Sequence, residues 1–355
     1  MKNDYKNLMN HHLRRALLDV LRLSGREIRA AFALLRAFAA QLIAVLRRTR
    51  WERRGVHVPP YMIASVTGQC TMQCAHCYAK DLPRRQGTEM TSSEWQAVFC
   101  QAKELGIGII FIAGGEPFMR TDVIEVMARF PGTLFPVFTN GMLLKGSMMN
   151  MLRRHRHILP VVSLEGPHAY TDARRGDGCF QSVTALMQEL HRQGIVFGAS
   201  LTVTRANFTE VTGEGFVRSL IAQGARALFF VEYVPVSRDT EHLVITAEQR
   251  RFLSVIRDTH PAGRDGLLVA FPGNEEIYDG CLAAGRGFIH IAPQGDVEPC
   301  PFAPFSDTNV KAMPLRDALR SEFLGKIREK HSLLSEREGG CALWKNREEL
   351  SLSKK

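Results

Sequence analysis

From Val58 to about Phe271, short β-branched or aromatic runs alternate with helical stretches, and this rhythm restricts the chain more than any other feature. The runs are Tyr61–Thr67, Ile107–Ala113, Leu134–Thr139, Leu159–Leu164, Val196–Thr204 and Leu228–Pro235, with helical periodicity at Ser92–Leu105, Asp122–Phe130 and Gln181–Gln193. Strands separated by helices pair in parallel, so the fold class is α/β with one mainly parallel sheet. Six such strands in succession suit a partial barrel at least as well as an open doubly wound sheet. In both, functional groups gather at the strand C-terminal ends. After Pro272 the pattern changes to a hairpin, Phe288–Ala292 and Val297–Pro299 about Pro293-Gln294-Gly295-Asp296, and then a helix near Leu315–Lys330. The expected organisation is a helical extension over 1–57, a core over 58–275 and a small α+β unit over 276–355.

The extension reads as an amphipathic helix. Leu17, Leu21, Ile28, Leu35, Leu42 and Leu46 recur at helical steps, Arg15, Arg22, Arg29 and Arg36 lie seven apart on another face, and Ser24-Gly25 is a candidate break. Val58-Pro59-Pro60 ends it by removing donors. Through His57 there are 13 basic and 4 acidic residues, so nearly all of the net charge of +10 belongs to this segment. A basic surface spread over the whole protein is excluded, and no nucleic-acid partner is expected of the protein as a whole. Ala30–Leu46 is interrupted by Arg36 and Gln41 and falls short of the roughly 18 apolar residues of a membrane span. Without a secretory signal, a cytoplasmic, reducing location follows. The helix packs on the protein with its basic face solvated, or contacts a membrane surface peripherally through residues 10–54, or grips a second subunit or an acidic partner such as RNA.

In a reducing compartment, 8 Cys read as metal ligands or free thiols rather than disulfides. Three of them, Cys70, Cys74 and Cys77, follow the first strand at C-x3-C-x2-C spacing within Gly68–Tyr78. One short loop can wrap three corners of a metal centre in this way. A structural zinc wants four closed ligands, and the local fourth donor, His76, is awkwardly adjacent to Cys77. A [4Fe–4S] cluster also takes four ligands, so three local thiolates leave one iron open to a small molecule.

The stretch resembles the C-x3-C-x-aromatic-C loop of the radical S-adenosylmethionine (SAM) enzymes, with His76 in the aromatic place and Tyr78 beside it. The resemblance implies that the open iron binds SAM and that an electron cleaves it to methionine and a 5′-deoxyadenosyl radical, which abstracts a substrate hydrogen. Further matches follow in order at strand ends. Gly114-Gly115-Glu116-Pro117 resembles the family's GGEP, where backbone and Glu accept from the SAM ammonium, although a plain glycine turn gives the same text. Thr139-Asn140-Gly141 resembles TNG, and Ser163-Leu164-Glu165-Gly166-Pro167 with Asp172 and Arg175 resembles S-L-D-G-P…D-x-x-R. By that register Ser163 and Arg175 hold the SAM carboxylate or ribose. Glu165 departs from the usual Asp, and Arg174 competes with Arg175. Glu232 and Pro235 line the adenosine pocket or are simply solvated. The match runs over about residues 58–240 and implies a partial (β/α)6 TIM-like barrel of the radical SAM type.

Cys281, Cys300 and Cys341 resemble the SPASM and shorter twitch extensions that hold auxiliary iron–sulfur clusters. The later block of four closely spaced Cys in a full SPASM domain is missing, which implies a single auxiliary [4Fe–4S] cluster. The alternative is three separate buried thiols. Asp279, His290, Asp296 and Asp307 are candidates for its fourth ligand, or one iron stays open. Cys100 reads as a packing thiol, and Cys179 is either that or a radical donor. An oxygen-sensitive enzyme is implied, fed by a low-potential donor such as flavodoxin or ferredoxin. Its substrate is a peptide or protein, a cofactor precursor, a carbohydrate or a lipid-linked molecule. The rival is a non-catalytic zinc or iron–sulfur binding protein, which explains six Cys but not the ordered Gly114–Pro117, Ser163 and Arg175.

Overall fold

The computed structural model describes residues 28–82, 87–271, 278, 280–335 and 341–352. The expectations for Arg15, Leu17, Leu21, Arg22, the Ser24-Gly25 break, the 275/276 boundary and Asp279 fall outside the described residues.

Nine strands form one sheet: β1 Tyr61–Ser65, β2 Ile109–Ala113, β3 Phe135–Thr139, β4 Ile158–Leu164, β5 Gly198–Val203, β6 Ala227–Glu232, β7 Leu267–Phe271, β8 Phe288–Ile291 and β9 Val297–Glu298. Their order is β7-β6-β5-β4-β3-β2-β1-β8-β9. All neighbours are parallel except β8 and β9. The six expected strands are present with ends shifted by a residue or a few. A seventh, β7, joins them, an apolar run whose signal was the Asp265-Gly266 turn before it. The hairpin of β8 and β9 forms as expected, but β8 also pairs with β1, from Tyr61↔Phe288 to Ala64↔Ile291, so the C-terminal segment extends the core sheet.

Consecutive order from β1 to β7 excludes a doubly wound sheet, whose order reverses. The sheet is also strongly curled. The Phe111 ring on β2 lies 5.9 Å from the Phe271 ring on β7, whereas five strand spacings in a flat sheet would separate them by roughly 24 Å. Phe111 also meets Phe229 of β6 at 6.2 Å. Aromatic side chains thus fill the concave side of a half-barrel.

Helices cover the outside: α1 Ile28–Glu52, α2 Ser92–Leu105, α3 Thr121–Met127, α4 Ser147–Arg154, α5 His168–Arg175, α6 Cys179–Arg192, α7 Glu214–Ala222, α8 Ala247–Thr259 and α9 Glu322–Glu329. A capping box of Thr91 and Glu94 starts α2, and Gly106 at φ 96° ends it. The single helix expected over Leu315–Lys330 is divided, because the Ser321 hydroxyl accepts from Leu324 N at 3.0 Å and begins α9 afresh.

The orientation of α1 differs from the simplest expectation of an apolar face inward and a basic face outward. Gln41, Ala44 and Arg48 are buried, while Leu42, Ile43 and Leu46 are exposed. The cause lies in what α1 touches. Arg47 Nη1 donates to Lys103 O at 2.7 Å and Arg48 Nη1 donates to Gly106 O, so both arginines satisfy carbonyls at the C-terminal end of α2. A Cβ on Gly106 would lie 2.5 Å from Ala44 O, so only glycine allows this approach. No helix among the described residues is long and apolar enough to cross a membrane.

Candidate active site at the strand C-terminal ends

The cysteine loop leaves the C-terminal end of β1 and is bound to the turn that follows β2. Gly115 N donates to Thr67 O at 2.8 Å and Glu116 N to Gln69 O at 2.7 Å. A Cβ on Gly115 would lie 2.0 Å from Gln69 O, and one on Gly114, at φ 125°, would lie 2.3 Å from Thr67 O. The glycine pair is therefore a requirement of close backbone approach and more than a loose turn. Glu89 and Arg120 complete the anchorage. Glu89 Oε1 accepts from Gly68 N at 2.7 Å, and Arg120 Nη1 donates to Val66 O at 3.2 Å. Neither residue carried a sequence signal, since a charged side chain that reaches backbone looks like any solvated one.

The far side of the loop is held by α5. Ala75 N donates to Arg174 O at 2.8 Å, and the Arg174 guanidinium donates to Ala75 O at 3.2 Å and to His76 O at 3.3 Å, with His76 in the left-handed region at φ 53°. Arg174 Nη1 also donates to Glu165 Oε2 at 2.7 Å, and Arg175 Nη2 lies 2.6 Å from Glu165 Oε1. Glu165, 2% exposed, thus pairs with both arginines, one through each carboxylate oxygen. Arg174 latches the loop, and burial pushes the Cys74 thiol up against the lowering pull of both Arg175 and Arg174.

Between these anchors lie Thr139 and Asn140 at the end of β3. The Glu116 carboxylate is fully buried and accepts from Thr139 Oγ1 at 2.8 Å, Asn140 N at 2.8 Å and Phe118 N at 3.1 Å. Burial raises its pKa, and the three donors oppose the rise. Asn140 Nδ2 donates to Cys70 Sγ at 3.8 Å and to Thr71 Oγ1 at 3.1 Å. Pro117 opens the single turn Pro117–Met119, and Ser163 lies half-buried on β4 beside Ser200. Cys179, the first residue of α6, is buried with its thiol pushed up by burial and pulled down by Arg175, and Cys100 is exposed on α2.

Cys281, Cys300 and Cys341 converge on one cavity of about 90 Å³, whose wall also includes Tyr61, Phe302 and Glu232. The Cys300 thiol is held well above its ordinary value, first by its hydrogen bond with Cys341 and then by burial. Glu232 is buried and ion-paired with Arg250 of α8. Three of the fourth-ligand candidates are engaged elsewhere. His290 lies between Ser65 Oγ at 2.8 Å and Glu298 Oε2 at 2.9 Å, Asp296 accepts from Asn309 at 3.1 Å, and Asp307 accepts from Phe323 N at 3.1 Å. Tyr78, one residue after Cys77, packs its ring 4.8 Å from that of Phe302, two residues after Cys300. Burial, Cys77 and Cys300 all raise the Tyr78 hydroxyl pKa. An aromatic pair therefore bridges the two cysteine groups. Among the described residues, no three His, Cys, Asp or Glu side chains close on the position of a single metal ion.

Residues 64–214 match the Radical SAM superfamily. This stretch is a radical SAM domain, and the protein is an enzyme. It is 27% identical over 315 residues to the AdoMet-dependent heme synthase of Methanosarcina barkeri, covering 80% of this chain and 88% of that protein. It is 27% identical over 266 residues to the mycofactocin maturase MftC of Mycolicibacterium smegmatis, covering 70% and 66%. The fold is shared with SuiB of Streptococcus suis. Bound to S-adenosylmethionine, that structure gives a TM-score of 0.64 at 20% identity, over 79% of this chain and 70% of SuiB. Bound to precursor peptide SuiA, it gives 0.61 at 18%, over 84% and 72%. SAM and a [4Fe–4S] cluster are thus the cofactors of this fold, and a non-catalytic binding protein is set aside.

Proposed function

We propose that Cys70, Cys74 and Cys77 hold a [4Fe–4S] cluster with one iron open to SAM, and that the protein modifies a peptide by radical chemistry. The observation that carries this is the double clamp on the cysteine loop, by Gly114–Glu116 on one side and Arg174 on the other, with the Asn140 amide on Cys70 Sγ. Amide N–H donors to sulfur and a guanidinium beside Cys74 suit thiolates that carry the charge of a cluster. Such a cluster supplies the electron that cleaves SAM to methionine and the 5′-deoxyadenosyl radical. The chain's own residues position and bind. The Gly114 and Gly115 backbone takes the SAM ammonium, because the Glu116 carboxylate is already engaged in orienting Thr139 and Asn140. Ser163 and Arg175 take the carboxylate or ribose, and His76, Tyr78 and Pro117 border the same mouth.

Residues 276–355 form the auxiliary unit, in which Cys281, Cys300 and Cys341 hold a second [4Fe–4S] cluster in the cavity that Glu232 borders. The Tyr78–Phe302 contact couples it to the first loop. A flavodoxin or ferredoxin supplies the electron, and the enzyme works in the reducing cytoplasm, where thiols persist. Relatives named as a mycofactocin maturase and a bacteriocin biosynthesis protein, and a neighbour bound to a precursor peptide, support a peptide substrate. A second reading, a heme precursor, is favoured by the likeness over 80% of the chain to a heme synthase.

Anaerobic reconstitution tests the scheme. About eight irons per chain, as two [4Fe–4S] clusters require, with 5′-deoxyadenosine released from SAM by reductant, is the expected result. Tightly bound zinc and no SAM cleavage would overturn it. Stimulation of release by a heme precursor but by no peptide would move the substrate to the second reading.

A further inference from the structure

Over its C-terminal half, α1 buries Gln41, Ala44 and Arg48 and exposes Leu42, Ile43 and Leu46. Of six large hydrophobic side chains exposed among the described residues, three lie on this helix, with Leu42 40%, Ile43 52% and Leu46 70% exposed. Arg47 and Arg48 point to the C-terminal carbonyls of α2, while Leu42, Ile43 and Leu46 lie exposed on the outward ridge. Arg36 and Arg50 are exposed on the same stripe, at helical spacing from Ile43 and Leu46, and Arg53 and Arg54 follow the helix end. The helix has one acidic residue, Glu52, which pairs with His57.

We propose that this face of α1 docks on an anionic lipid surface, the apolar ridge entering the interface and the arginines meeting headgroup charge. A helix with a cationic rim around exposed Leu and Ile fits that partner by charge and polarity together. A second copy fits less well, because three partly exposed side chains fall far short of the roughly 800 Å² per partner of a stable interface. The placement is also informative. α1 crosses Gly106, Gly108 and Gly132, at the N-terminal ends of β2 and β3, whereas the Cys70–Cys77 loop stands at the opposite, C-terminal ends. Docked this way, the protein turns its active mouth away from the bilayer, toward a water-borne substrate. The inference rests on α1 alone and stands or falls apart from the cofactor reading.

Co-sedimentation of the full chain with vesicles tests it, comparing phosphatidylcholine alone with phosphatidylcholine containing about one-third phosphatidylglycerol. The full chain is expected to pellet with the anionic vesicles, less so as salt rises, and to stay largely unbound with the neutral ones. Leu42→Glu with Ile43→Glu and Leu46→Glu should weaken anionic binding about tenfold or more, and Arg36→Gln with Arg50→Gln about fivefold per arginine. All five sites are exposed, so melting temperature and iron content should not change. Should the triple variant fail to fold, Ile43→Ser with Leu46→Ser reads the same loss. Equal binding by wild type and the apolar-face variants, or no vesicle binding by the full chain, overturns the proposal. So does a dimer in light scattering that those variants dissolve while vesicles go unbound, since it would assign the face to a second copy.

Discussion

Arg174 Nη1 donates to Glu165 Oε2 over 2.7 Å while the same guanidinium donates to the Ala75 and His76 carbonyls, so a carboxylate at the end of β4 aims the cysteine loop of β1. Glu165→Gln leaves Arg174 and Arg175 without their buried countercharge. The expected loss is about 3 kcal/mol, the low end for a broken buried pair, because the Arg174 side chain keeps 19% of its exposure. Iron held by Cys70, Cys74 and Cys77 should fall with it. Glu165→Asp keeps the charge and should recover part of both. Unchanged melting and iron content in Glu165→Gln would show that the loop is aimed by something else.

Gly115→Ala tests the other clamp. Its Cβ would lie 2.0 Å from Gln69 O, which is backbone and cannot swing away, so the cysteine loop must shift. An overpacking cost of about 1–3 kcal/mol is expected. The effect on the site should exceed the effect on the fold, with the N-terminal iron lost, the C-terminal iron kept and SAM cleavage abolished. Retention of all iron would remove the close-approach role of this glycine.

The parts of the fold that sequence revealed are those with local cause. The β-branched runs, the helical period of Ser92–Leu105 and the three-cysteine loop are each set by neighbours close in the chain and are legible at once. What stayed hidden depends on partners distant in the chain. Phe288 reads as one arm of a hairpin, and nothing near it says that β8 also pairs with Tyr61 of β1. Arg47 and Arg48 read as a solvated basic face until the α2 carbonyls that they satisfy are in place. Glu165 looks like a departure from an Asp motif, yet it is the group that reconciles two adjacent arginines. Glu89, Arg120 and Arg250 belong to the same class of long-range contacts without a local signature.

His157 gives stability a pH dependence. It is 4% exposed, its Nε2 is 3.1 Å from Met127 O, and burial, with His155 and Arg36 nearby, lowers its pKa below the ordinary 6.5. A histidine depressed in the folded state binds its proton more readily when unfolded. Its contribution is therefore complete above the unfolded value and is lost as pH falls through the folded one. The urea midpoint should drop between about pH 7.5 and about pH 5, and drop less in His157→Gln, which cannot titrate. The same drop in both proteins would assign the acid sensitivity to other groups.

The two cysteine groups should separate by substitution, because different segments hold them although Tyr78 and Phe302 touch. Cys74→Ser should reduce iron from about eight to about four per chain and abolish 5′-deoxyadenosine release, since it breaks the loop proposed to bind SAM. Cys300→Ser should also remove about four irons, those of one cluster, yet spare some release, since the first loop is clamped by Gly114–Glu116 and Arg174. Iron content unchanged in Cys300→Ser would dissolve the second cluster. Complete loss of release in Cys300→Ser, with four irons still bound, would instead mean that the electron reaches SAM through the C-terminal group, with Tyr78 and Phe302 on its route.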